Sequence, residues 1–116
     1  MSVGQMLWHV NQAMETALGR VQPDPKGLPI PAPVMRFLVL KMPWTKNAPT
    51  NKAFIPTTQH DFDTEIARCR ALVTEIAARP IESAPPMHPV FGQMTGQQQS
   101  QLHAKHLDHH LKQFGV

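Results

Sequence analysis

The chain has 116 residues, with one Cys, no Tyr, 12 Pro and 41% hydrophobic residues, which is the size of one domain and too short for two separate cores. Its 11 Lys+Arg against 8 Asp+Glu leave a net charge of +3. With no Lys/Arg cluster or basic stripe, that balance speaks against nucleic acid as a partner. The longest apolar run, Phe37 to Leu40, is far short of the ~20 residues that cross a bilayer. The start, Met1-Ser2-Val3-Gly4-Gln5, lacks the basic and apolar regions of a secretion signal, so no membrane and no export are expected. A lone Cys69 cannot close an internal disulfide, and it is read as a small core residue of a cytoplasmic protein.

The prolines lie between positions 23 and 89 and leave 1–22, 57–79 and 90–116 free of them. Because Pro breaks helix interiors, long helices belong in those spans. In the first, Ser2 is a good N-cap, and Val3, Met6, Leu7, Val10, Met14, Ala17 and Leu18 follow helical spacing until Gly19. This predicts a helix over about 3–18. A Pro-rich stretch follows, in which Pro33 opens a short helix over about 33–42 carrying Val34, Phe37, Leu38 and Leu40. The segment from Pro43 to Thr50 is expected to be an ordered loop, because Trp44, Phe54 and Ile55 need burial. Asp61 begins the next helix, about 62–79, with Phe62, Ile66, Cys69, Leu72, Val73, Ile76 and Ala77 on one face. The last, about 96–114, starts at a Thr95-Gly96-Gln97-Gln98 capping box and stops at Gly115. The expected fold is all-α, a single bundle domain over 1–116 with its three long helices packed antiparallel.

Four of the seven histidines fall in eight residues of the last helix, as His103, His106, His109 and His110. At about 100° per residue, His103, His106 and His110 share an arc of roughly 60°. Leu107, Leu111 and Phe114 flank that arc on one side and Leu102 on the other, so burying the apolar residues carries the imidazoles into the interior. Buried imidazoles need hydrogen-bond partners or a metal. His106-x-x-x-His110 is the spacing that turns two of them toward one cation. His9, on the flank of the first helix's apolar stripe, is the third candidate. His103 reads as a pocket-lining residue rather than a ligand, His109 as solvent-facing, and His60 and His88 as loop residues. Asp108, about 160° away from His106 and His110 around the helix, reads as a surface charge. No phosphate loop, nucleophile elbow or His-Glu-x-x-His motif is present, and no general base stands out.

Four segments, taken together, resemble a known superfamily. They are Gln5-Met6-Leu7-Trp8-His9, the stretch Met42-Pro43-Trp44 to Thr50, His88-Pro89-Val90-Phe91-Gly92, and the helix His106-Leu107-Asp108-His109-His110 to Gly115. In this order they are similar to the DinB-like (YfiT-like) metal-binding four-helix bundles, in a bacterial branch known only as a domain of unknown function. The resemblance implies a metal triad on His9, His106 and His110, holding a divalent cation such as Zn²⁺ or Ni²⁺ with open positions for water. It further implies thiol S-transfer or metal-assisted hydrolysis among the superfamily's activities, with a small thiol or electrophile as substrate. The chain departs from the pattern in two ways. It starts almost at the superfamily's second helix, so a homodimer is expected to cover the face left by the first, and Gln98 or Gln99 stands where the last helix often carries Trp. A non-catalytic helical interaction module with structural or vestigial histidines is the competing expectation.

Overall fold

The computed structural model describes residues 1–21, 30–44 and 54–115. Four helices follow one another along them: α1 (Val3–Ala17), α2 (Ala32–Lys41), α3 (Phe62–Ala78) and α4 (Gly96–Gln113). Among the described residues, β-structure amounts to one isolated bridge between His88 and Gly92. The helix boundaries follow local chemistry. Ser2 and Gln5 cap α1 reciprocally, Thr95 and Gln98 do the same for α4, and the Asp61 carboxylate accepts from the Thr64 N–H at the start of α3. Each such cap is worth about 1 kcal/mol. Pro33 sits in the first turn of α2, where its missing N–H costs nothing. Gly19, at φ 79°, takes the chain out of α1.

The core is built on α1. Met6, Leu7, Val10, Met14 and Leu18 pack with Cys69 and Leu72 of α3, and Ile66, Ile76 and Leu107 close the edges. Among the described residues α1 packs against both α3 and α4, and α2 packs against α4. The first and last helices are antiparallel as expected, since His9 meets His106 near one end and Gln99 reaches the Ala17 carbonyl near the other. The α1–α3 pair corrects the expectation. Ser2 meets Gln59, Asn11 meets Glu65 and Arg20 meets Glu75, so these two helices run in the same direction. The long connection that carries α2 returns the chain to the start of α1, which a short loop does not allow.

Three further expectations are corrected. Glu65 is buried on α3, while Phe62 and Val73 stand half exposed at 50% and 42% and Ala77 faces solvent. The reason is a polar inlay: the Asn11 amide donates to both the backbone carbonyl and the carboxylate of Glu65, and Arg68 bridges Glu65 to Gln12. At the start of α3, Gly4 lies directly against the backbone of His60, a closeness that only a residue without Cβ permits. On α2, Val34, Phe37 and Leu38 are exposed. This helix is held by polar ties instead, with Arg36 donating to the carbonyls of Phe91 and Gln93 and Lys105 of α4 donating to that of Met42. Phe54 is buried and Trp44 partly so, but Ile55 is exposed, and residues 45–50 of the expected loop lie outside the described residues. The apolar flank of α4 is narrower than its sequence suggests, because Leu111 and Phe114 remain exposed past the end of the core.

Candidate metal centre

His106 and His110 lie one turn apart on α4, and the antiparallel α1 brings His9 against both. One ring nitrogen from each lies within 4.8 Å of the others. The His9 and His106 Nε2 atoms are 3.0 Å apart. The three ring centroids are separated by 4.6 to 4.9 Å, with the rings steeply inclined to one another. His9 and His110 are buried and His106 is nearly so.

The outer nitrogens decide the tautomers. A carbonyl only accepts, so His9 Nδ1–H donates to the Phe54 carbonyl at 2.7 Å and its Nε2 presents a lone pair toward α4. His110 Nδ1 lies 3.0 Å from the Gln113 side-chain oxygen, an arrangement that likewise puts the proton on Nδ1 and leaves Nε2 bare. Oriented imidazoles of this kind, each tied through its remote nitrogen, are the usual supports of a metal site. Burial pushes all three toward the neutral, ligating form. For His9 it outweighs the Phe54 bond that pulls the other way, and it takes His110 down to about 4. His106 falls well below the ordinary imidazole value through burial first and the neighbouring His9 and His110 second. Among the described residues no carboxylate or thiol joins the three nitrogens, so the group that could hold a metal is uncharged and has three members.

The remaining histidines separate cleanly. His103 is buried on the same arc but outside the cluster, and its Nε2 has no hydrogen-bond partner among the described residues. Burial takes its pKa down to about 4. His88 is not a plain loop residue as the sequence suggests. It is buried, and its Nδ1 accepts from the N–H groups of Val90 and Phe91, locking the turn that Gly92 completes at φ 68°. His60 stacks on Trp8 at 4.9 Å, and His109 sits at the rim beside Trp44. Asp108 is on the surface, paired with Lys112 at 2.9 Å. Gln99, at the opposite end of α4, donates to Ala17 and stands away from the three histidines.

Sequence reasoning missed the supports. Gln113 was visible as the residue one turn after His110, but the Phe54 carbonyl is a backbone group and leaves no signature. Trp44, whose ring centre is 5.5 Å from that of His106, stands out only as a large side chain in a loop. With Lys105, Asp108, His109, Lys112 and Gln113 it lines a surface groove of about 500 Å³ next to the histidines.

Fold and site define an all-α bundle with three convergent histidines at the meeting of its first and last helices. The family model described as Protein of unknown function (DUF1569) matches residues 1–115, and the chain belongs to that family. No curated protein and no solved structure matches it.

Proposed function

We propose that the chain is a DinB-like metal-binding protein in which His9, His106 and His110 hold one divalent cation, Zn²⁺ or Ni²⁺. The observation that carries this reading is the convergence of three ring nitrogens within 4.8 Å of one another. Two of the three rings are already fixed in the ligating tautomer by Phe54 and Gln113. Neutral imidazoles suit both metals. A set of three protein ligands is characteristic of sites that keep a position open for a reactant. When bound, the cation supplies Lewis acidity that lowers the pKa of a thiol or water at that position.

The chain's own part is to bind and to orient. The Phe54 carbonyl holds the His9 ring, Gln113 holds His110, and the indole of Trp44 lies beside His106. The reaction class that this arrangement serves is S-transfer of a small thiol, whose sulfur loses its proton and bonds to an electrophile with the thiol's own C–S bond intact, with metal-assisted hydrolysis as the second choice. The setting is cytoplasmic, in keeping with a single buried Cys69 and with the absence, among the described residues, of a helix able to cross a membrane. The exposed Val34, Phe37 and Leu38 of α2 support a homodimer, to be checked by light scattering on the eluting protein, where twice the 13.0 kDa chain mass is expected.

Elemental mass spectrometry on tag-free protein tests the central reading. About one equivalent of metal is expected in the wild type after incubation with Zn²⁺ or Ni²⁺, and little in His9→Ala, His106→Ala or His110→Ala. A wild type that takes up neither metal removes the proposal. Uptake without turnover of any thiol or ester substrate would leave a binding module in its place.

A further inference from the structure

The groove lined by Trp44, Lys105, Asp108, His109, Lys112 and Gln113 has a volume of about 500 Å³, within the range of sites that take small molecules. Two of its walls are in contact with the proposed metal ligands. Gln113 is bonded to His110, and Trp44 lies against His106. The same indole also lies near the rim residues His109 and Lys105. A molecule lying on Trp44 in this groove is therefore adjacent to the histidine cluster without being part of it.

The charges of the lining are unequal. Lys112 is paired with Asp108 at 2.9 Å. Lys105 has no carboxylate partner among the described residues, and it is also not a free-swinging side chain. Its ammonium donates to the Met42 carbonyl at 2.6 Å and stands 5.8 Å from the centre of the Trp44 ring. An ammonium has three N–H donors, so one is spent on fixing its position and two remain for a ligand. Trp44 is fixed as well, through its indole N–H to the Val39 carbonyl. An aromatic plane and a pre-placed cation side by side bind without the ordering cost that flexible groups carry.

We infer that this groove is a binding site for a small organic anion, whose oxyanion meets Lys105 and whose apolar part lies on Trp44. The inference deepens the metal reading by naming the substrate class of the same site, and it rests on that reading only for the link to chemistry. Lys105 acts here as a point charge, so it accepts a carboxylate or a phosphate, and the experiment tells them apart.

The test is a titration of the full chain, followed by nuclear magnetic resonance, with phenylacetate, phenyl phosphate and the neutral phenylacetamide as probes. The chain has two Trp, and the Trp44 indole signal is identified by its loss in Trp44→Phe. Both anions, or one of them, should move the Trp44 indole and Lys105 signals with at least about tenfold higher affinity than the amide, the scale of a charge-assisted hydrogen bond. Lys105→Met should abolish that preference, whereas Asp108→Asn, which frees Lys112, should strengthen it. The opposite signs separate a lost binding charge from a disturbed fold. Equal response to the amide, no response at Trp44, or indifference to both substitutions overturns the proposal. Running the titration on metal-free and metal-treated protein keeps the two readings apart, because anion preference without metal uptake retires the metal site and leaves the groove, while uptake without preference does the reverse.

Discussion

α1 meets α3 and α4 by different means. Toward α3 it packs Met6, Val10 and Met14 with Cys69 and Leu72, and the fully buried Asn11 finds Glu65. Toward α4 it sets His9 against His106 and His110, with the bare His9 Nε2 3.0 Å from the His106 Nε2. The first interface is self-sufficient, because burying apolar surface returns about 25 cal/mol per Å². The second buries polar rings that gain little from one another. The cluster thus sits at the less apolar of the two α1 interfaces, where a ligand that binds only the folded chain has the more to add.

If that contrast is right, the two interfaces respond oppositely to substitution. The largest effect on metal binding is expected from His106→Ala, which should remove it and with it the whole metal-dependent rise in melting temperature. That rise corresponds to about 2.7 kcal/mol when free metal is a hundredfold above Kd, and thermal unfolding with and without Zn²⁺ reads it. Without metal the variant should melt close to wild type.

On the stability of the metal-free chain, acid should have the largest effect. His88 and His103 titrate at about 4 in the folded chain against an ordinary 6.5, so the unfolded state binds more protons through that window. Stability is therefore complete above about pH 6.5 and falls as pH drops toward 4, by on the order of 3 kcal/mol for each group. Urea unfolding of metal-free protein at a series of pH values measures the slope, and His103→Leu should flatten it.

The α1–α3 interface is probed by Leu72→Ala, expected to lower unfolding free energy by about 2–5 kcal/mol while metal stoichiometry stays at that of the wild type. A smaller effect sharpens the other side. Gln113→Leu leaves all three imidazoles in place but releases His110 Nδ1, and a loss of metal affinity of about 10–100-fold is expected, measured by competition with a chelator of known strength.

Much of this was legible in the residues. Prolines and caps mark all four helices, because those signals act within one turn of chain. The convergence of His9, His106 and His110 was legible too, since the i, i+4 spacing and the apolar flanks of α4 direct two rings inward and α1 offers a single histidine. What escaped depends on contacts far apart in sequence. The parallel run of α1 and α3 follows from where the α2 connection lands. The burial of Glu65 over Phe62 follows from Asn11 waiting opposite. The inward turn of His88 follows from two backbone N–H groups that no composition reveals.

X-ray absorption at the metal edge of the zinc-loaded protein tests the central claim most directly. The account predicts three imidazole nitrogens at about 2.0–2.1 Å and at least one further oxygen, with the imidazole signature reduced in His110→Ala. A fourth protein ligand closing the site, a sulfur at about 2.3 Å from Cys69, or fewer than three imidazoles in the wild type would contradict it.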